Sequence, residues 1–155
     1  MNLTQSQPEG RIVVVTVQEG ISYLSVAVAK AFESIGSALV RRVRNDDSWT
    51  IIGRKGAVIG SVPESASHNG PCKSTFFLKL SNENDVLCPV AIQSSGHSGI
   101  GTRILVDETR NISPLPDGIT LAILNDAQCS VEESQTFPFS GSNNLTEFHP
   151  NDSCW

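Results

Sequence analysis

The chain has 155 residues, enough for one domain with a sizeable core and hardly enough for two. Its apolar fraction of 39% and charged fraction of 17% fit an ordinary globular protein, and a net charge of −5 argues against nucleic acid as the main partner, since phosphate binding relies on clustered Lys and Arg. The charge is uneven: residues 1–60 hold seven basic and five acidic groups (+2), residues 61–155 four and eleven (−7).

Residues 1–10 read as a polar lead-in ending at Pro8-Glu-Gly10, without a signal-peptide pattern. The first apolar run, Ile12–Val17, is too short to span a membrane, so no membrane insertion is expected. An exported form is expected to be a processed product or a segment of something longer. That same β-branched run predicts a strand covered on both faces. Glu19-Gly20 ends it. Ser22 reads as an N-cap, and Leu24, Val28, Ala31, Phe32 and Ile35 recur at helical spacing up to Gly36, so one helix is expected over about 22–35. Ala38–Val40 opens another apolar run. Trp49–Ile52 predicts a second short buried strand before the turn at Gly53–Gly56. Ser61–Pro71, rich in Ser, Asn, Gly and Pro, reads as a loop. Further strands are expected at Phe76–Leu80, Val86–Ile92, Ile104–Val106 and Ile119–Leu124, with a Gly/Ser-rich stretch at 94–101 and a turn at Pro114–Gly118. Residues 141–155 form a linker-like tail. One helix against about six strands gives an α+β fold that is mainly β.

The four cysteines, Cys72, Cys88, Cys129 and Cys154, contain no C-x-x-C pair and lie far from His68, His97 and His149, so no metal site is expected. An even, dispersed set suits two disulfides in an oxidising compartment. Of three possible connectivities, the sequence-local one, Cys72–Cys88 with Cys129–Cys154, is preferred. Sequons at Asn2, Asn111, Asn144 and Asn151 point the same way, to an extracellular, glycosylated protein.

Catalytic constellations are missing. No G-x-S-x-G elbow occurs, and Gly96-His-Ser-Gly99 has the wrong serine offset and reads as a loop. Gly99-Ile-Gly-Thr102 lacks the third glycine of a dinucleotide loop and the lysine of a phosphate loop, so no cofactor is expected, and Arg103 reads as a strand-face residue. Asp46 and Asp47 read as turn residues facing water. Trp49 has two readings, a platform for a sugar ring or a core residue, the second favoured by its place at the start of a strand. Arg41, Arg42, Arg44, Arg54 and Lys55 read as scattered surface charge.

The order Gly10-Arg-Ile-Val-Val-Val-Thr-Val17, helix, Ile35-Gly-Ser37, Asp47-Ser-Trp49, Ile52-Gly-Arg-Lys-Gly-Ala57 and Gly60-Ser-Val-Pro-Glu64 resembles the second half of the interleukin-like EMT inducer (ILEI) or PANDER-like domain. Residues 76–80, 100–108, 118–125 and 137–139 resemble that family's first half. The halves, 10–65 and 72–140, thus stand in permuted order. The resemblance implies two packed, twisted, largely antiparallel sheets with one main helix. It also implies that neither half covers its own apolar strands, so that Ile12–Val17 needs Ile119–Leu124 beside it. A closed permuted domain within this chain would supply that neighbour, and so would the next copy in a tandem or polymeric array.

The family's domain also occurs in the stem of a glycosyltransferase, where it binds sugar, and this resemblance implies candidate ligand-binding positions at Glu19, Arg44, Asp47 and Trp49, although Asp46 stands where many members have Arg. Leu105 replaces the family's cysteine, which puts its disulfide pattern in doubt. Two functions are expected from different classes. The first is a non-enzymatic extracellular structural or assembly module, a repeat of a glycosylated filament or large cell-surface protein, with copies of itself or neighbouring repeats as partners. The second is a carbohydrate-binding or cytokine-like recognition module, with glycans as possible partners.

Overall fold

In the computed structural model the chain is described at residues 10–18, 24–44, 47–68, 70–79, 86–95, 102–107, 110–112, 118–125 and 127–137. The strand β1 (Ile12–Gln18) organises everything else. Residues Ile12 to Val17 are all between 0% and 3% exposed. Alternate side chains of a strand point to opposite faces, so a run buried throughout needs a layer on each side. Val13, Val15 and Val17 enter one core with Phe32 and Ile35 of the helical segment, while Ile12 and Val14 enter a second core with Val90, Ile92 and Ile104. The continuous β-branched run is the imprint of this double burial.

The helix α1 (Val26–Glu33) is shorter than expected. Its N-cap is Ser25, whose Oγ accepts the Val28 N–H at 3.2 Å, rather than Ser22, which lies outside the described residues. Gly36 ends it as expected, at φ +103°, a conformation that favours glycine. The apolar run from Ala38 becomes a 3₁₀ turn at Val40–Arg42. The chain then enters β2 (Ser48–Arg54), which pairs antiparallel with β1 and places Ile51 beside Val15.

A correction concerns Ser61–Pro71. This stretch holds a strand, β3 (Glu64–Ser67), paired with β2. Its Ser-rich composition hid it because an edge strand needs few apolar side chains. Next come β4 (Cys72–Lys79), β5 (Leu87–Ser94), β6 (Arg103–Val106) and β7 (Arg110–Ile112), which form a four-stranded antiparallel sheet in that order. The chain returns through β8 (Gly118–Asn125) and β9 (Ser130–Phe137) to the first sheet, whose order is β3-β2-β1-β8-β9. β7 and β9 were not foreseen. β9 is a polar edge strand with exposed Glu132 and Glu133, and lacks the apolar run that marks a buried strand.

The expected neighbour of β1 is the one observed. β8 lies antiparallel to β1 with Leu121 opposite Val15 and Ile119 opposite Val17, within a single chain. The result is three layers: α1, the five-stranded sheet and the four-stranded sheet. The fold is mainly β, with two antiparallel sheets and one main helix.

The preferred disulfide pairing is corrected. Cys88 bonds to Cys129, with Cα atoms 5.5 Å apart, tying β5 to the turn before β9 and so one sheet to the other. The register gives the reason. Cys88 sits opposite Leu78, not opposite Cys72, which faces Ser94 at the far end of the β4–β5 ladder. The Cys72–Cys88 separation is roughly 20 Å at about 3.3 Å per residue, far beyond disulfide reach. Cys72 is also disulfide-bonded.

Candidate functional site

The motifs that carried the family resemblance converge, but on one another. Glu64, at the start of β3, is the hub. Its Oε2 accepts the Trp49 indole N–H at 2.8 Å and the Ser37 hydroxyl, and its Oε1 accepts the backbone N–H groups of Ala38 at 2.8 Å and Leu39 at 3.3 Å. The carboxylate thus satisfies donors at the entry to the 3₁₀ turn and fixes the Trp49 ring. Trp49 is 0% exposed and meets Phe32 edge-on, ring centroids 4.9 Å apart. It is a core residue and presents no face to a sugar.

The Gly-Arg-Lys-Gly segment has a comparable role. A Cβ on Gly53 would lie 2.7 Å from the Ile35 carbonyl oxygen, so only glycine lets β2 pass this close to the end of α1. Backbone N–H groups of Arg54 and Gly56 then donate to the carbonyls of Ile35 and Ser34, each at 2.9 Å. The motif is a docking surface for the helix end.

The expectation that Asp47 faces water is corrected: it is internal, held there by its hydrogen-bond partners. It is 1% exposed, its Oδ2 accepts the Arg44 backbone N–H at 2.7 Å, and His68 Nδ1 lies at 2.7 Å from the same oxygen. Burial raises its pKa above the ordinary carboxylate value, opposed by the hydrogen bonds from His68 and Arg44. The neighbouring Ser48 hydroxyl donates to the Gly70 carbonyl at 2.6 Å and is likewise buried. The Asp47–Ser48–His68 neighbourhood therefore closes the corner between β2 and β3, with its polar atoms turned inward.

Of the four sequence-predicted ligand positions, Asp47 and Trp49 are thus occupied by the protein itself, Arg44 is exposed with its backbone engaged by Asp47, and Glu19 lies outside the described residues. Cations of the first half are dispersed on local partners: Arg41 forks onto Glu33 with two 2.8 Å bonds, Arg54 donates to the Gly10 carbonyl, and Lys55 reaches Ser34 Oγ at 3.4 Å. The sequons Asn2, Asn144 and Asn151 lie outside the described residues, and Asn111 falls in β7 opposite Leu105. The Gly96–Gly99 loop is also outside them.

The surface that remains open was not singled out from the sequence. In β4 and β5 buried and solvent-facing positions alternate strictly, the signature of a sheet with one wet face. On that outer face Lys73, Gln93 and Arg103 stand in register, Thr75, Ala91 and Leu105 form the next row, and Phe77 pairs with Pro89. The small floor residues leave a shallow trough of about 270 Å³ along β5, lined by Thr75, Phe77, Pro89, Ala91 and Leu105. A hollow of about 200 Å³ continues it beneath Lys73 and Arg103. Phe77 is 65% exposed and Leu87 54%. Arg103 is a strand-face residue, as expected. The one signal for this face is the strict alternation in Cys72–Lys79. Glu64, by contrast, stood inside a quoted motif without an assigned role.

No group of three or more His, Cys, Asp or Glu among the described residues is placed to hold a metal ion. No helix among them is long and apolar enough to cross a membrane.

A family model described as interleukin-like EMT inducer matches residues 1–57. No curated protein and no solved structure matches. The matched segment contains β1, α1 and all of β2, the elements that Gly53 and Trp49 lock together. The match over these 57 residues supports an ILEI/PANDER-like domain.

Proposed function

We propose that this chain is an extracellular, non-enzymatic recognition module of the cytokine-like kind that the family description implies. The single observation that carries the reading is the self-contained core. β1 finds both neighbours, β2 and β8, in its own chain, so the fold does not require a second copy to complete a sheet. The inter-sheet disulfide Cys88–Cys129 suits an oxidising compartment. The non-enzymatic part is supported by how the reactive side chains are used: Asp47, Ser48 and Glu64 are all engaged in fixing loops and caps. The sugar-binding form of the recognition reading has less support, because Trp49 and Asp47 are buried.

The assembly reading keeps one specific observation in its favour. β9 and β3 are edges of the five-stranded sheet, and open edges are templates for strand addition. Light scattering on the secreted protein, taken over a hundredfold concentration range together with binding to cell surfaces, separates the two. A constant monomer mass with saturable cell binding is the expected result. Concentration-dependent polymers without saturable binding would replace recognition with assembly.

A further inference from the structure

The inner strands of the five-stranded sheet, β2, β1 and β8, are covered on both faces, by the helical segment and by the second sheet, whereas among the described residues no element packs on the outer face of β4, β5 and β6. The middle rows of that face are apolar, with Lys73 and Arg103 at one end and Lys79 beside Leu87 at the other, in a chain whose net charge is −5. Neither Lys73 nor Arg103 meets a carboxylate among the described residues. We propose that this trough binds an extended acidic peptide segment of a partner protein, with the pattern apolar-x-apolar-x-acid. The proposal rests on the recognition reading and names the surface that would perform it.

Three features fit a peptide. The walls, Phe77 with Thr75 on β4 and Leu105 on β6, stand two strand spacings apart, about 9–10 Å, which admits one extended chain above the Ala91–Pro89 floor. Successive rows along β5 repeat every second residue, roughly 6.5–7 Å, and the downward side chains of an extended peptide have the same period. Two apolar side chains would then fall on the Pro89 and Ala91 rows, and the next downward side chain on the Lys73–Gln93–Arg103 row, where a carboxylate meets two cations and an amide. An acyl chain fits less well, because a half-open trough leaves much of it in water. A sugar needs several convergent hydrogen-bonding groups, and the apolar part of the trough offers only the Thr75 hydroxyl.

The test is a ¹⁵N-edited NMR titration of the intact, disulfide-bonded protein with an acetylated, amidated peptide Ser-Leu-Thr-Leu-Thr-Glu-Ser. Amide shifts confined to residues 73–77, 90–93 and 103–105 are expected, with a Kd on the order of 1 mM or tighter. Replacing the peptide's Glu by Lys, or making Lys73→Glu with Arg103→Glu, is expected to weaken binding about tenfold, the scale of two exposed ion pairs. Val26→Ser, on the far side of the molecule, is expected to leave it unchanged. Circular dichroism confirms that the variants fold. No shifts at about 5 mM peptide, shifts indifferent to charge reversal, or binding at these residues by decanoate or a uronic-acid hexasaccharide but not by the peptide would each overturn the proposal. Saturable cell binding that survives the double charge reversal would overturn this surface alone and leave the recognition reading standing.

Discussion

The indole N–H of Trp49 donates to the carboxylate of Glu64 at 2.8 Å, in a position where the ring is wholly buried and the acid also holds the backbone entering the 3₁₀ turn. A charged acceptor serving four donors couples the helix end, the turn and β2 into one unit. Glu64→Ala is therefore expected to cost about 2–4 kcal/mol, since hydrogen bonds to charged groups contribute roughly 1.5–3 kcal/mol and the orphaned donors add their desolvation. Trp49→Phe, which removes one donor and leaves a small void, should cost about 1–3 kcal/mol. The double variant should cost less than the sum by at least about 0.5 kcal/mol, the mark of coupled groups. Urea denaturation of the four proteins checks this; strict additivity would show that the bond is incidental.

Gly53 and Gly10 make a matched comparison. A Cβ at Gly53 would meet the Ile35 carbonyl oxygen at 2.7 Å and the Ile35 side chain at a similar distance, whereas one at Gly10, at φ +84°, would meet nothing within 4 Å. Gly53→Ala should destabilise by about 2–3 kcal/mol through steric displacement of the helix end. Gly10→Ala carries only the cost of the left-handed backbone, about 1 kcal/mol. Thermal unfolding of both variants is the measurement, and equal losses would contradict the close approach.

Asp47 gives a pH signature. Desolvation raises its folded-state pKa above the value of 3.8 that it has when free. Between those two values the unfolded chain has lost the proton and the folded chain still binds it. Stability from this group is thus fully present below about pH 3.8 and falls as pH rises through the folded pKa. Relative to Asp47→Asn, which does not titrate, the parent protein should lose stability across that window and stay parallel above it. Denaturation midpoints from pH 3 to 7 would show the reverse slope if the hydrogen bonds from His68 and Arg44 outweighed burial.

The Cys88–Cys129 bond closes a loop of 41 residues between the two sheets. Chain-entropy arguments assign such a loop about 3–4 kcal/mol. Cys88→Ala with Cys129→Ala should lower stability by that order, and mass spectrometry of unreduced digests should recover a Cys88–Cys129 peptide. Recovery of a Cys72–Cys88 peptide would instead require a different register between β4 and β5.

How legible each part was follows from the physics of each segment. β1 and β8 are buried on both faces, so their composition is mostly apolar, and β2 carries the apolar run Trp49–Ile52 around one threonine; each can be read from a single window. The helix is marked by 3.6-residue periodicity and by Gly36, although its first turn is set by Ser25, whose hydroxyl meets the Val28 N–H only in the folded geometry. β3 and β9 lie at sheet edges and carry mostly polar side chains, so nothing local distinguishes them from loops.

The sequence by itself determined the strands that need two covers, the end of the helix, the family pattern of the first 57 residues and the even cysteine count. Those features depend on local backbone preference and on apolar content. Which cysteines meet, whether Trp49 faces solvent or core, and which sheet face stays open were decided by tertiary structure alone. Each depends on the register between β4 and β5 or on the Glu64 clamp joining residues far apart in the chain, and distances of that kind are not encoded in any one segment.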